Sequence, residues 1–217
     1  MQRPYIIINC AMSADGKTAL PNGKQLRLSC EEDLKRMYEL RHSCDAVLVG
    51  INTVLTDDPK LTVKETYVKN PRQPLRVILD STCRIPSTAL VLNDAAPTMI
   101  VTTKGYEKKF PGKHVDVVGC PADVEGNVDL AYLLQILVDR GIHKLLVEGG
   151  GTVIWSFLNH RFMDDMYVYI APLVVGGKKT PTLVHGAGIT QHQEAVVLKL
   201  QSVKTLGPGI LVHYTFA

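Results

Sequence analysis

The sequence predicts an α/β fold in which a mixed, mostly parallel sheet is flanked by helices and ends in an antiparallel hairpin. Short apolar, β-branched runs alternate with segments of helical periodicity over most of the 217 residues, a pattern typical of parallel sheets. At the end of the chain two further β-rich runs, 195–204 and 210–216, are joined by Leu206-Gly207-Pro208-Gly209. A glycine-proline turn between two such runs predicts an antiparallel edge.

The elements follow in order along the chain. The apolar run Tyr5–Met12 predicts a buried strand, and the polar, glycine-containing segment 13–28 predicts a loop. Ser29 and Glu32 have capping-box spacing and predict the start of a helix of about a dozen residues. Asp129 predicts the cap of a second helix, which Gly141 ends. Further strands are expected at 46–50, 75–80, 99–103, 115–118, 144–148 and 166–175, with a third helix at 153–158.

Composition limits the classes of function. The chain is 46% hydrophobic, so residues 1–217 are expected to form a single domain. Its net charge is +3, and its Lys and Arg residues form no stripe with aromatics, so nucleic acid is not an expected partner. The apolar runs are too short to span a membrane. Five irregularly spaced cysteines without a C-x-x-C motif predict reduced thiols, no metal site and a cytoplasmic protein.

The segment Glu148-Gly149-Gly150-Gly151-Thr152 follows an apolar strand and precedes a helical pattern that Thr152 is expected to cap. A glycine turn at a helix N-terminus gathers free N–H groups and the positive end of the helix dipole, which suits a phosphate. The alternative is an ordinary strand-to-helix turn. The position of a third Rossmann glycine is occupied by Ile154, and the chain has no P-loop motif.

Three other polar segments follow predicted strands, where α/β sheets bind ligands. Met12–Lys17 carries a carboxylate and the Lys17 ammonium around a glycine. In the segment 50–64, Thr53 and Asp57 are four residues apart and would share one helical face, with Lys60 and Lys64 nearby. Ser81, Thr82 and Arg84 offer hydroxyls and a guanidinium for a phosphate monoester. The alternatives are a solvated turn, a helix stop before Pro59 and a surface charge.

In this order and at these separations, the segments resemble the riboflavin-biosynthesis pyrimidine reductases, which share the dihydrofolate reductase-like fold. The resemblance runs from Tyr5 to about Gly186 and includes 170–177 and 181–183. Bacterial members commonly follow a fused zinc deaminase domain, which this sequence lacks. The chain therefore looks like the stand-alone, archaeal-type reductase of 2,5-diamino-6-ribosylamino-4(3H)-pyrimidinone 5′-phosphate.

The resemblance implies a role for each matching residue. NADPH would contact Thr53 and Asp57, the turn Ser81-Thr82-Cys83-Arg84, and Gly149, Gly150, Gly151 and Thr152, with Arg84 a partner for its 2′-phosphate. The substrate would contact Lys17, Arg41, Leu61, Lys64 and Glu148, and Lys17, Glu148 and Asp57 would serve catalysis. At Lys64 the bacterial fused forms often have Arg, whose bidentate fork a lysine lacks. The resemblance also implies a homodimer, for which the apolar C-terminal strands would supply an interface.

Three alternatives stay open at this stage. The substrate is either the diamino pyrimidinone or its deaminated uracil form, because no motif reads the one exocyclic group that distinguishes them. A dihydrofolate or other pterin reductase would use the same fold. A nucleotide-binding protein without catalysis is a third possibility, against which the set Lys17, Thr53, Asp57 and Glu148 argues.

Overall fold

A computed structural model describes residues 2–217. Within that range nine strands form one mixed sheet, and four α-helices accompany them. In chain order the elements are β1 (Tyr5–Ser13), α1 (Glu31–Ser43), β2 (Ala46–Gly50), α2 (Ile51–Asp57), β3 (Leu75–Leu79), β4 (Thr98–Thr103), β5 (Val115–Cys120), α3 (Leu130–Asp139), β6 (Lys144–Gly149), α4 (Gly151–Asn159), β7 (Asp165–Ala171), β8 (Leu198–Leu206) and β9 (Gly209–Phe216). Leu90–Leu92 and His192–Glu194 form short 3-10 helices. The predicted α/β class with a mixed sheet is confirmed.

Contacts divide the chain into two compact units. The first comprises residues 2–5 and Tyr38–Leu146, and the second comprises Ile6–Met37 and Val147–Ala217. One boundary therefore falls inside α1 and another inside β6.

The first unit is built on parallel strands. Its strand order is β5-β4-β3-β2-β6, and β2, β3, β4 and β5 pair in parallel. All five residues of β2 and all six of β4 are buried, as expected for strands covered on both faces. The helix α3 begins at the predicted cap, where the Asp129 carboxylate accepts from the Tyr132 N–H, and it buries Leu133, Leu134 and Leu137.

The second unit contains the antiparallel edge. Its strand order is β6-β1-β7-β9-β8; β1 and β7 are parallel, whereas β7–β9 and β9–β8 are antiparallel. The predicted C-terminal hairpin is confirmed, and Gly207 in its turn has φ +55°. On α4, Ile154, Phe157 and Leu158 are buried, and each such side chain contributes about 1.5–3 kcal/mol through burial.

Two predicted elements have different bounds. β7 ends at Ala171, although the apolar run continues to Val175. It ends early because the N–H groups of Val175 and Gly176 bind the Asp15 carboxylate instead of a neighbouring strand. The helix α4 begins at Gly151 with Gly150 as its N-cap, so the prediction that Thr152 caps it is wrong: Thr152 lies inside the first turn.

Candidate functional site

In the first unit, α2 places Thr53 and Asp57 one helical turn apart, as their spacing predicts. The Asp57 side chain is exposed, yet neighbouring protein atoms partly desolvate its carboxyl and raise its pKa above the ordinary value. Asp58 has a different role, because it ends the helix with φ +40° and its carboxylate accepts from the Leu90 N–H at 2.8 Å. Only the first of the two adjacent aspartates is therefore available to a ligand.

The turn Ser81-Thr82-Cys83-Arg84 is tightly held from below. Cys83 has φ +52°, its N–H donates to the Asp80 carbonyl, and its side chain is fully buried. Burial also raises the pKa of the Cys83 thiol. The backbone of Cys83, rather than its sulfur, is therefore the part that can meet a ligand. Lys108 reaches this turn as well, since its Nζ donates to the Cys83 carbonyl at 2.6 Å.

Arg84 is oriented by two neighbours. Its Nη2 donates to Asn52 Oδ1 at 3.1 Å, and its Nε lies 3.9 Å from Asp80 Oδ1. Asp80 is itself fully buried and accepts from the Ile85 N–H at 2.8 Å. Because half of the Arg84 side chain (51%) remains exposed, its guanidinium can still bind an anion while these contacts restrict its position.

The segment 61–64 carries two of the predicted substrate residues. Leu61 has φ +51° and is buried, whereas Lys64 is exposed. Two side chains from outside hold the segment. Arg41 Nη1 donates to the Thr62 carbonyl at 3.0 Å, and the Gln73 amide binds both backbone groups of Val63, accepting from its N–H at 2.7 Å and donating to its carbonyl at 2.9 Å.

In the second unit, Lys17 lies in a turn built by Ser13 and Asp15. The Ser13 hydroxyl donates to Asp15 Oδ1 at 2.6 Å and accepts from the Lys17 N–H at 2.8 Å. The Asp15 carboxylate also accepts from the N–H groups of Val175 and Gly176 at 3.1 and 2.7 Å. The Ser13 hydrogen bond, followed by these two, lowers the pKa of Asp15 to about 2. Asp15 is therefore a fixed anion that anchors the loop carrying Lys17.

The glycine run joins β6 to α4 in the second unit. Gly149 has φ +121°, and the Gly149–Gly150 peptide is cis. Gly150 caps α4 without a side-chain hydrogen bond, so the first-turn N–H groups face outward without a side-chain acceptor from the cap. A Cβ on Gly151 would lie 3.0 Å from the His185 ring, and the His185 N–H donates to the Gly151 carbonyl at 3.1 Å.

The structure thus groups the predicted residues by unit. The first unit carries Arg41, Thr53, Asp57, Leu61, Lys64 and the turn 81–84, and the second carries Lys17 and Glu148–Thr152. Sequence reasoning missed Gln73 and His185, which bind loop backbone from elsewhere in the chain. Gln73 left no signal, since a lone glutamine between prolines is typical of any loop. His185 follows the noted segment 181–183, where its ring accepts from the Thr182 N–H at 2.9 Å.

Within residues 2–217, no group of three or more His, Cys, Asp or Glu side chains is arranged to hold a metal ion. All five cysteines are free thiols. Over the same range, none of the helices combines the length and apolar character needed to cross a membrane.

Comparison with known proteins places the chain among reductases of one pathway. Residues 4–212 match the family described as the RibD C-terminal domain. A protein of Methanothermobacter thermautotrophicus named 2,5-diamino-6-ribosylamino-4(3H)-pyrimidinone 5′-phosphate reductase is 44% identical over 98% of both chains. A protein of the same name from Archaeoglobus fulgidus is 39% identical over 99% of both.

A solved structure shows the same fold. The crystal structure of a Thermotoga maritima diaminohydroxyphosphoribosylaminopyrimidine deaminase/5-amino-6-(5-phosphoribosylamino)uracil reductase matches 99% of this chain with a TM-score of 0.83 at 26% identity. This chain spans 57% of that protein.

Proposed function

Because the chain belongs to the RibD C-terminal domain family, we propose that it uses NADPH to reduce 2,5-diamino-6-ribosylamino-4(3H)-pyrimidinone 5′-phosphate to the ribitylamino product in riboflavin biosynthesis. One observation carries the proposal: the 44% identity with a reductase of that name extends over 98% of both chains. Members named for this reduction support an oxidoreductase with a nicotinamide cofactor. The choice of NADPH rests on the residues below.

The glycine run fits a pyrophosphate. At Gly149 the φ of +121° favours glycine, and no atom of the described residues lies within 4 Å of where its Cβ would be. The main chain is therefore open to close approach. The N-terminus of α4 lacks a side-chain cap, and its N–H groups and dipole favour an anion there. Gly149, Gly150, Gly151 and Thr152 would hold the pyrophosphate.

The turn 81–84 fits the adenosine end of the cofactor. Its hydroxyls belong to Ser81 and Thr82, and Cys83 offers its backbone. Arg84 supplies a half-exposed guanidinium that Asn52 and Asp80 already orient. A guanidinium pairs with a phosphate through several charge-assisted hydrogen bonds, so Arg84 favours NADPH over NADH. In the same unit, Thr53 and Asp57 on α2 would contact the cofactor, and Asp57 would orient it toward the substrate.

The substrate residues divide between phosphate and ribose. Arg41 and Lys64 supply positive charge for the 5′-phosphate, and Leu61 shapes the segment beside Lys64 through its left-handed backbone. Lys17 and Glu148 would line the ribose. The Lys17 side chain extends from the turn that Ser13 and Asp15 hold.

The reaction needs two changes at C1′ of the ribose. Ring opening breaks the bond from C1′ to the ring oxygen, moves the proton of the exocyclic nitrogen to that oxygen, and leaves a C1′=N imine. When bound, NADPH supplies the hydride that adds to C1′, and a proton adds to the nitrogen. Lys17 and Glu148 would assist the proton movements during ring opening and hold the ribose hydroxyls, so that the reacting carbons meet at attack distance.

A second candidate is reduction of the deaminated substrate, 5-amino-6-(5-phosphoribosylamino)uracil, which the name of the Thermotoga maritima protein supports. The test is loss of NADPH absorbance with each phosphoribosylamino pyrimidine supplied separately, and with dihydrofolate as a third substrate. We expect turnover with the diamino form. Turnover with the uracil form alone would favour the second candidate, and turnover with dihydrofolate alone would overturn both.

The organisation of the protein is part of the proposal. Residues 1–217 would act as a single reductase domain in a cytoplasmic homodimer without a metal ion. The dimer rests on the resemblance described above and on exposed apolar side chains of the C-terminal hairpin, such as Leu200 and Val203. Sedimentation equilibrium tests the dimer, and a monomer at micromolar concentration would contradict it.

A further inference from the structure

Two stacked tyrosines lie beside the proposed phosphate residues of the first unit. Tyr38, on α1, is only 8% exposed, and the ring of Tyr67 stacks on it with centroids 4.7 Å apart and planes 16° apart. A single turn brings Tyr67 to this position, because its N–H donates to the Lys64 carbonyl at 3.1 Å. The segment that carries Lys64 therefore folds back so that its own tyrosine covers Tyr38.

Two cations approach the same ring. The guanidinium carbon of Arg41 and the Nζ of Lys64 each lie 5.5 Å from the centroid of Tyr38. Both are thus within cation–π distance, and they lie no more than twice 5.5 Å apart. Tyr38 and Arg41 are three residues apart on α1, so the helix itself sets half of this arrangement.

Two like charges held this close repel each other in the free protein. The electron-rich face of Tyr38 offsets part of that repulsion, since it attracts both cations. No carboxylate of residues 2–217 forms an ion pair with Lys64, so its charge is available to an external anion. A doubly charged phosphate monoester would complete the balance.

We propose that Tyr38, backed by Tyr67, determines specificity for phosphorylated substrates by holding Arg41 and Lys64 together before the phosphate arrives. The inference rests on the proposed function for its substrate. Tyr38 is a positioning residue that acts through the two cations. A free lysine side chain loses considerable rotamer entropy when it binds, and the ring reduces that loss by restricting Lys64 in advance.

The test is isothermal titration of ribose 5-phosphate into the wild-type protein and three variants. In Tyr38→Leu the residue stays apolar but loses its π face, and we expect the Kd to rise roughly five- to thirtyfold. Tyr38→Phe keeps the ring and should restore wild-type affinity. Tyr67→Leu, a change at a less buried position, should weaken binding in the same direction, and it keeps the test valid if Tyr38→Leu does not fold.

Two controls separate this role from general damage. Tyr132→Leu replaces an exposed tyrosine on α3 and should leave the Kd for ribose 5-phosphate unchanged. The Kd for NADPH should be the same in Tyr38→Leu as in the wild type, and the loss should appear in KM for the phosphorylated substrate rather than in kcat.

The inference fails if wild type and the folded leucine variants bind ribose 5-phosphate equally well, or if wild type does not bind it. An equal loss of NADPH affinity would also overturn it, because that result would indicate a structural role. The proposed function fails on a different observation, namely that the wild-type protein oxidises no NADPH with either pyrimidine substrate.

Discussion

Replacing Gln73 by alanine tests how the segment 61–64 is held. The Gln73 amide is its two-point anchor, with hydrogen bonds of 2.7 and 2.9 Å to the N–H and carbonyl of Val63. Val63 is only 4% exposed, so both backbone groups lose their partner in a poorly hydrated place. An unsatisfied buried group costs about 1–3 kcal/mol. Because water reaches these partly buried bonds, we expect the free energy of unfolding to fall by about 2–4 kcal/mol in Gln73→Ala.

The assay is urea unfolding followed by circular dichroism. For a chain of this size each kcal/mol corresponds to roughly 2–4 °C in Tm, so thermal melts provide a second measure. Gln73→Glu keeps an acceptor for the Val63 N–H but loses the donor to its carbonyl, and should be destabilised as well. The matched control is Gln201→Ala, since Gln201 is exposed and its amide makes one hydrogen bond, to the Thr215 hydroxyl.

A functional consequence follows from the same contacts. A looser segment places Lys64 less well, so KM for the phosphorylated substrate should rise in Gln73→Ala while the Kd for NADPH does not change. If Gln73→Ala unfolds within about 0.5 kcal/mol of wild type, as expected for a surface substitution, the reasoning about this anchor is wrong.

Three other predictions concern the catalytic, cofactor and loop residues. Glu148→Gln and Lys17→Ala should each lower kcat roughly a hundredfold, the scale of one acid–base or electrostatic contact, and near-wild-type turnover of both would remove them from the mechanism. Arg84→Ala should raise the Kd for NADPH roughly tenfold or more with little change for NADH; fluorescence titration measures both, and equal losses would contradict a 2′-phosphate contact. The pKa of Asp15 is lowered from 3.8 to about 2 in the folded protein, so its contribution to stability is complete above pH 3.8 and is lost as pH falls toward about 2. Unfolding curves over this window should show a smaller pH dependence in Asp15→Asn, and identical slopes for the two proteins would refute the role given to Asp15.

Local patterns predicted the elements of the fold. The β-branched runs, the Asp129 cap and the glycine-proline turn each report on a few neighbouring residues, and the structure has a strand, a helix start and a hairpin at those places. The end of β7 was not predictable in this way. Its apolar run continues to Val175, and what stops it is a carboxylate 160 residues away in sequence.

The candidate site shows the same division between local and distant causes. The four-residue spacing of Thr53 and Asp57 predicted their shared helical face because a helix is a local structure. Hydroxyl and carboxylate types pointed to Ser81 and Asp57, but nothing local indicated that the Cys83 sulfur is buried or that Leu61 meets its surroundings through its backbone. Thr152 was assigned as a cap because hydroxyls cap helices well, and the preceding glycines allowed the helix to begin earlier.

The lysine at position 64 gains a physical explanation from its surroundings. By resemblance, the bacterial fused reductases often have Arg there, and an arginine brings its own geometry because its planar fork fits a phosphate. Lysine is a point charge on a flexible stem and brings none. In this chain the Tyr38 ring lies 5.5 Å from the Lys64 ammonium and 5.5 Å from the Arg41 guanidinium, so the direction that a fork would supply comes from the platform instead. Lys64→Arg should therefore change the affinity for ribose 5-phosphate less in the wild-type protein than in Tyr38→Leu, where no ring guides the lysine.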